Sequence, residues 1–148
     1  MHFNDPVRAV VERKGMDVFS VRPETPVYEA LHKMAARDIG ALLVTQDGEV
    51  AGIFSERDYA RKVILLGRSS RETTVEEIMS PATRVSSRDS IDSCLHLMTS
   101  ARVRYLAVMD GARIEGMVSI GDLVNWMITA QAETIDQLHS YIAADYPR

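Results

Sequence analysis

Residues 21–64 of this chain match residues 85–128 at a constant offset of 64, without a gap. Identities fall at Val21/Val85, Leu31/Leu95, His32/His96, Met34/Met98, Leu42/Leu106, Val44/Val108, Gly52/Gly116, Ser55/Ser119, Asp58/Asp122 and Ile64/Ile128, and most other pairs keep their polarity class. A gapless repeat of this kind asks both halves to adopt one fold. The period exceeds the roughly 20–50 residues of solenoid units, and two copies suggest a pseudo-symmetric pair packed face to face. One copy buries only a marginal core, whereas two together form a domain of ordinary size.

Both copies carry the same signals. Val21 starts a short extended piece, and Thr25-Pro26 predicts an N-cap with proline at the first helical position. Val27, Ala30, Leu31, Met34 and Ala35 then form a helical apolar stripe, matched by Ile91, Cys94, Leu95 and Met98. Buried strands follow at Ala41-Leu42-Leu43-Val44 and Tyr105-Leu106-Ala107-Val108. Asp47-Gly48 and Asp110-Gly111 read as tight turns into second strands, Val50 to Phe54 and Ile114 to Val118. Ser-x-x-Asp opens a last helix, with Tyr59, Ala60, Val63 and Ile64, or Leu123, Val124, Met127 and Ile128, expected to face inward. Each repeat is thus strand–helix–strand–strand–helix, an α/β (α+β) unit. The expected division is 1–17 for an N-terminal helix and lead-in, 18–66 and 82–128 for the repeats, 67–81 for a connector and 129–148 for a helical tail. Asp5-Pro6 is expected to cap the first helix, carrying Val7, Val10 and Val11. Thr74-Val75-Glu76-Glu77 is a capping-box pattern in the connector, and Ile135, Leu138 and Ile142 have helical spacing in the tail.

Several function classes lose support at once. Seventeen basic against 21 acidic residues give a net charge of −4, without the overall basic footprint of a nucleic-acid binder. One cysteine, Cys94, precludes an internal disulfide and a cysteine-cluster metal site. It sits on the core stripe and reads as a small buried hydrophobe. No apolar run approaches the roughly 18 residues that span a bilayer, and the first residues lack a secretory pattern, so the expected location is cytoplasmic. Phosphate-binding loops, dinucleotide glycine fingerprints and nucleophile elbows are all missing. His32 and His96 lie off the apolar stripe, while His2 and His139 are isolated near the termini, so no metal site is expected. The expectation is a non-catalytic protein.

What remains is the element ending each second strand: Gly52-Ile53-Phe54-Ser55-Glu56-Arg57-Asp58, and Gly116-Met117-Val118-Ser119-Ile120-Gly121-Asp122. Ser-x-x-Asp is a helix cap in its plainest reading. It also puts a helix N-terminus, with unpaired N–H groups, where an anion is favoured. Serine can donate to a phosphate, and aspartate can accept from both hydroxyls of a ribose. The pattern leaves both readings open. Arg57 and Arg61 follow the first motif, and Arg102 and Arg104 flank the buried strand of the second copy. They suit either a phosphate pocket or an exposed charged face.

The tandem Gly-h-h-Ser-x-x-Asp units (h apolar), with Ile39-Gly40-Ala41-Leu42-Leu43-Val44 and Arg102-Val103-Arg104-Tyr105-Leu106-Ala107-Val108, resemble a cystathionine-β-synthase-type (CBS) domain pair of the stand-alone bacterial kind. The resemblance spans essentially the whole chain. It implies two α/β units with apposed small sheets, short N- and C-terminal helices, and two clefts for adenine ligands such as AMP, ATP, NAD(H) or S-adenosylmethionine. Asp58 and Asp122 would hold riboses, and Ser55 and Ser119 would contact ribose or phosphate. Base pockets would involve residues near Val18 to Ser20 and Ala82 to Arg84 (Ser20 and Thr83 among them), with Ile39, Gly40, Ala41, Val103 and Tyr105. Arg57, Gly121, Arg102 and Arg104 would complete the sites, the last two as phosphate partners. The copies differ, since Arg57 is matched by Gly121, Glu56 by Ile120, Asp38 by Arg102 and Gly40 by Arg104. Because such clefts are shared, an arginine of one repeat can serve a ligand held by the other. Family members often carry proline where Leu43 and Ala107 stand, and threonine where both motifs here have serine. The implied function is a regulatory sensor acting through conformation or a homodimer, with output through an effector protein. The alternative is a ligand-independent interaction module. Neither nucleic acid nor membrane is an expected partner.

Overall fold

The structure is a computed structural model that describes residues 2–15 and 19–145. Two three-stranded sheets organise it, one per repeat. A single 3-10 turn, His2–Asn4, precedes helix α1, Val7–Lys14. The first repeat runs β1 Ser20–Val21, α2 Val27–Arg37, β2 Ala41–Gln46, β3 Glu49–Ser55 and α3 Glu56–Tyr59, the last continuing into a π turn, Ala60–Ile64. The connector contains α4, Val75–Ile78. The second repeat runs β4 Arg84–Ser86, α5 Ile91–Ala101, β5 Tyr105–Asp110, β6 Arg113–Ser119 and α6 Ile120–Asp145. In each sheet the middle strand pairs in parallel with the short strand and antiparallel with the last, at matching registers: Leu43↔Ile53 and Ala107↔Met117.

Each repeat has its own core between sheet and helices, around Leu42, Val44 and Phe54 in one and Leu106, Val108 and Val118 in the other. A third cluster joins them: Leu43 and Val50 of the first sheet pack with Ala107 of the second, flanked by Met109, Ile114 and Met117. These are the residues of β2, β3 and β5 that alternate away from the repeat cores. Burying a side chain such as Leu43 contributes about 1.5–3 kcal/mol, so the apposed sheets hold the repeats in one body. Cys94 is fully buried, and its burial pushes the thiol pKa up to about 11, so it behaves as a hydrophobe.

Several local expectations are corrected. Thr25 does not cap α2; Pro26 is the N-cap residue, outside the helix. The connector satisfies this end instead, as Val27 N–H donates to Thr73 O and Tyr28 N–H donates to Ser70 O. The first hairpin turns at Asp47-Gly48, both at positive φ. The second turns one residue later than expected, at Gly111-Ala112, because Asp110 still pairs with Arg113. Ala35 is exposed, as are Ala60, Val124, Ile64 and Ile128. A three-stranded sheet covers only one stripe of the last helix, taken by Val63 in the first repeat and by Leu123 and Met127 in the second. The tail is not a separate helix but the continuation of α6. The side chains of His2, Leu138 and Ile142, and residue Val18, fall outside the described residues. Among the described residues no helix is long and apolar enough to cross a membrane, and no cluster of His, Cys, Asp and Glu has a metal-site arrangement.

Candidate functional site

Glycine at 52 lets the connector cross close over β3. A Cβ there would lie 2.8 Å from both Met79 Sδ and Ser80 O. Ser80 instead pairs with Ile53, each donating its N–H to the other's carbonyl at 2.9 Å. This crossing delivers Ser80 to the first Ser-x-x-Asp element. Asp58 is 6% exposed and fully engaged. Its Oδ2 accepts from Ser55 N and Ser55 Oγ, both at 3.1 Å. Its Oδ1 accepts from Ser80 Oγ at 2.7 Å and pairs with Lys62 Nζ at 3.1 Å. Ser55 Oγ in turn accepts from Asp58 N. The capping box is therefore real, and Glu56 N–H is also used, donating to Gly40 O at 3.0 Å. This narrows the expectation of unpaired N–H groups: those of Ser55, Glu56 and Asp58 are already bonded, which shifts the attraction for an anion toward side chains.

Those side chains are present. A cleft of about 720 Å³ opens between the repeats, lined by Gly40, Ile53, Ser55, Glu56, Arg57, Asp58, Arg61 and Lys62 of the first, and by Ser80, Pro81, Thr83, Arg102, Val103, Arg104 and Tyr105 of the connector and second repeat. Five cations face two carboxylates there. Arg102 takes a left-handed conformation at φ 55 where α5 ends, which turns the chain into β5 and sets Arg102 and Arg104 on the cleft wall. Tyr105 reaches across to the first repeat, since a Cβ at Gly40 would fall 2.5 Å from its hydroxyl oxygen. Burial pushes the Tyr105 phenol up, with Glu56 adding to the effect and Arg104 opposing it. The phenol stays a neutral donor and acceptor at neutral pH.

Of the predicted site residues, the cleft gathers Gly40, Ser55, Arg57, Asp58, Arg61, Thr83, Arg102, Val103, Arg104 and Tyr105. Ser20, Ile39 and Ala41 are not on its lining; Ala41 is fully buried, pairing with Ser55, and Ile39 packs on the first core. Ser119, Gly121 and Asp122 form a second cap elsewhere. Asp122 Oδ2 accepts from Ser119 N at 2.8 Å, and Ser119 Oγ accepts from Asp122 N at 3.0 Å. Asp122 Oδ2 also pairs with Lys14 Nζ at 2.6 Å, and Lys14 donates to Met117 O at 3.1 Å. Sequence reasoning left out Glu56, Lys62, Ser80 and Pro81. Lys62 stood four residues after Asp58, on the same helical face, but nothing local marked the connector's Ser80-Pro81. Another hollow, about 610 Å³, lies toward the hairpin turns around Val50, Arg84 and Gly111, where Arg84 donates to Val50 O at 2.7 Å; of the stretches expected at the base pockets it holds only Arg84.

The family model for the CBS domain matches residues 7–64 and 75–129. The chain is a tandem CBS-domain protein. The CBS pair superposes with TM-score 0.82 on a CBS-domain protein from Burkholderia ambifaria MC40-6 assigned to signal transduction, 44% identical, over 86% of this chain and 96% of that one. It is 38% identical to the mitochondrial CBS domain-containing protein CBSX3 of Arabidopsis thaliana, over 81% of this chain and 61% of that protein's length. At 16% identity and TM-score 0.72, over 80% of this chain and 89% of that one, it shares its fold with the CBS domain protein PAE2072 from Pyrobaculum aerophilum, solved in complex with AMP.

Proposed function

We propose that this CBS pair is a non-catalytic regulatory module that binds an adenine nucleotide, of the AMP, ATP or NAD(H) kind, in the cleft at Asp58. The observation that carries this is the composition of that cleft: a carboxylate and serine at a helix start, ringed by Arg57, Arg61, Lys62, Arg102 and Arg104. In a chain of net charge −4 such a concentration of cations is a local anion site. In this reading Asp58 accepts the ribose hydroxyls, exchanging its bonds from Ser80 and Lys62 for theirs. The arginines hold the phosphates, and the base lies toward Thr83 and Tyr105. The AMP complex of a protein with this fold supports the ligand class. Because the lining comes from both repeats, the ligand favours whichever arrangement of the two closes best upon it. The output passes to an effector through that rearrangement.

A thermal-shift panel on nucleotide-stripped protein tests this, with AMP, ADP, ATP, NAD⁺, NADH and S-adenosylmethionine, and GMP as control. A ligand at ~100 times its Kd stabilises by about 2.7 kcal/mol, or roughly 5–11 °C at this length. A flat panel would overturn the nucleotide reading.

A second reading rests on a different observation. Ile64, Leu65 and Leu66 are 57–75% exposed, and Ile120, Val124 and Ile128 form an exposed stripe on α6. Exposed apolar side chains of this kind suit a protein partner, and a second copy of the chain, in a homodimer, would cover them. Light scattering on wild type and Ile128→Glu distinguishes a dimer broken by the charge from a protein that was never a dimer.

A further inference from the structure

Of the five cations lining the Asp58 cleft, one is already engaged. Lys62 Nζ pairs with Asp58 Oδ1 at 3.1 Å and donates to Ile78 O at 3.0 Å and to Ser80 Oγ at 3.1 Å. The other four, Arg57, Arg61, Arg102 and Arg104, make no side-chain hydrogen bond or ion pair among the described residues. They stand on both walls. Arg57 lies in α3 and Arg61 in the π turn that continues it, while Arg102 and Arg104 lie on the run into β5 of the second repeat.

The carboxylate left to face them is Glu56, which forms an ion pair with none of the four. Guanidinium groups keep their charge at any working pH. Lys62 and Asp58 cancel, so four arginines against one glutamate leave the cleft a net charge of +3, in a chain whose own net charge is −4. Such a cluster repels itself until an anion enters. The hollow at the hairpin turns is the reverse, since Glu49 and Asp89 face Arg84 there, and Arg84 is engaged on Val50 O.

A phosphate monoester carries about −1.5 to −2 charges at neutral pH, too few to meet this surplus, and each phosphate added to its tail brings roughly one charge more. Each also adds oxygens that a guanidinium fork can grip in a bidentate way. We propose that the cleft discriminates among adenine nucleotides by the number of their phosphates, taking ATP ahead of ADP and ADP ahead of AMP. This rests on the nucleotide reading of that cleft. With arginines on opposite walls, a longer tail engages more of them and draws on both repeats at once. All four are exposed, so salt screens the contacts and the preference weakens as ionic strength rises.

Isothermal titration at low and high salt tests this with AMP, ADP, ATP and, as the tail alone, inorganic triphosphate. The proteins are wild type, Arg57→Gln/Arg61→Gln and Arg102→Gln/Arg104→Gln, with melting curves to show that each variant folds. ATP is expected to bind wild type roughly tenfold more tightly than AMP at low salt, with ADP between them and a narrower gap at high salt. Each double variant should bring ATP to within about threefold of AMP, chiefly by weakening ATP. AMP binding as tightly as ATP, or a gap that survives in both double variants, overturns the role of the arginines and leaves the cleft a nucleotide site. Inorganic triphosphate binding as tightly as ATP supports the arginines and overturns the adenosine contacts at Asp58. No binding by any of the four compounds overturns both.

Discussion

The two Ser-x-x-Asp elements share a cap and a lysine on its carboxylate, and differ in where the neighbours come from. At the first, the connector lays Ser80 across the carboxylate, and two arginines arrive from the other repeat. At the second, the lysine on the carboxylate comes from the end of α1, where the first has Lys62 from its own helix, and the positions equivalent to Arg102 and Arg104 are Asp38 and Gly40. The caps are alike because a strand entering a helix needs its first N–H groups satisfied, wherever it occurs. The surroundings diverge because they come from segments outside the repeat or from the opposite copy. Duplication preserved the scaffold and left the chemistry to whatever crosses it.

Four experiments would break or sharpen this contrast. The largest effect is expected on nucleotide affinity: Asp58→Ala should weaken it about 100-fold, losing a charged acceptor of ~2.7 kcal/mol. Asp122→Ala should leave it unchanged, and equal losses by titration would erase the distinction. Next come the paired glycines. Gly52→Ala pushes a methyl into the backbone oxygen of Ser80, whereas Gly116→Ala meets only a Val11 methyl. Overpacking costs of about 1–3 kcal/mol should fall at the upper end for Gly52→Ala and the lower for Gly116→Ala in denaturant melts. A smaller effect is expected from Arg102→Ala, roughly tenfold in affinity or ~1.4 kcal/mol, with none from Asp38→Ala at the equivalent position. The smallest concerns α4 against α1. Glu77 accepts from Thr74 N at 2.7 Å and pairs with Arg68, and these bonds hold its pKa below the ordinary carboxylate value. A depressed folded pKa stabilises above the unfolded value and is lost as pH falls through the folded one. Glu77→Gln should therefore lower the Tm slightly at pH 7 and converge with wild type in acid; a constant gap across pH would point to packing instead.

Much of this was legible from residues alone. The offset of 64 carried the element order and the two Ser-x-x-Asp caps, because those depend on near neighbours. The continuous apolar run from Ala41 to Val44 anticipated a buried strand. Misreadings cluster where distant segments supply the partner. Proline at 26 was placed inside the helix because the carbonyl of Thr73, which replaces a cap, is 47 positions away. Ile64, Val124 and Ile128 looked internal because amphipathic spacing cannot say how wide a stripe the sheet will cover. At the site, Ser55, Asp58 and the arginines were recognisable singly. Their convergence across the interface, and the entry of Ser80 and Lys14, depended on packing that no local pattern encodes.

The crossing of the connector over Gly52 has a mechanical consequence. Residues 67–81 are the covalent tether between the halves, and that tether is zipped to β3 at Ile53 and latched to Asp58 by one hydroxyl. A guest that claims the carboxylate must unlatch the tether or pull it taut. In the proposed nucleotide reading, occupancy would therefore act as a pull on the strap that joins the two lobes.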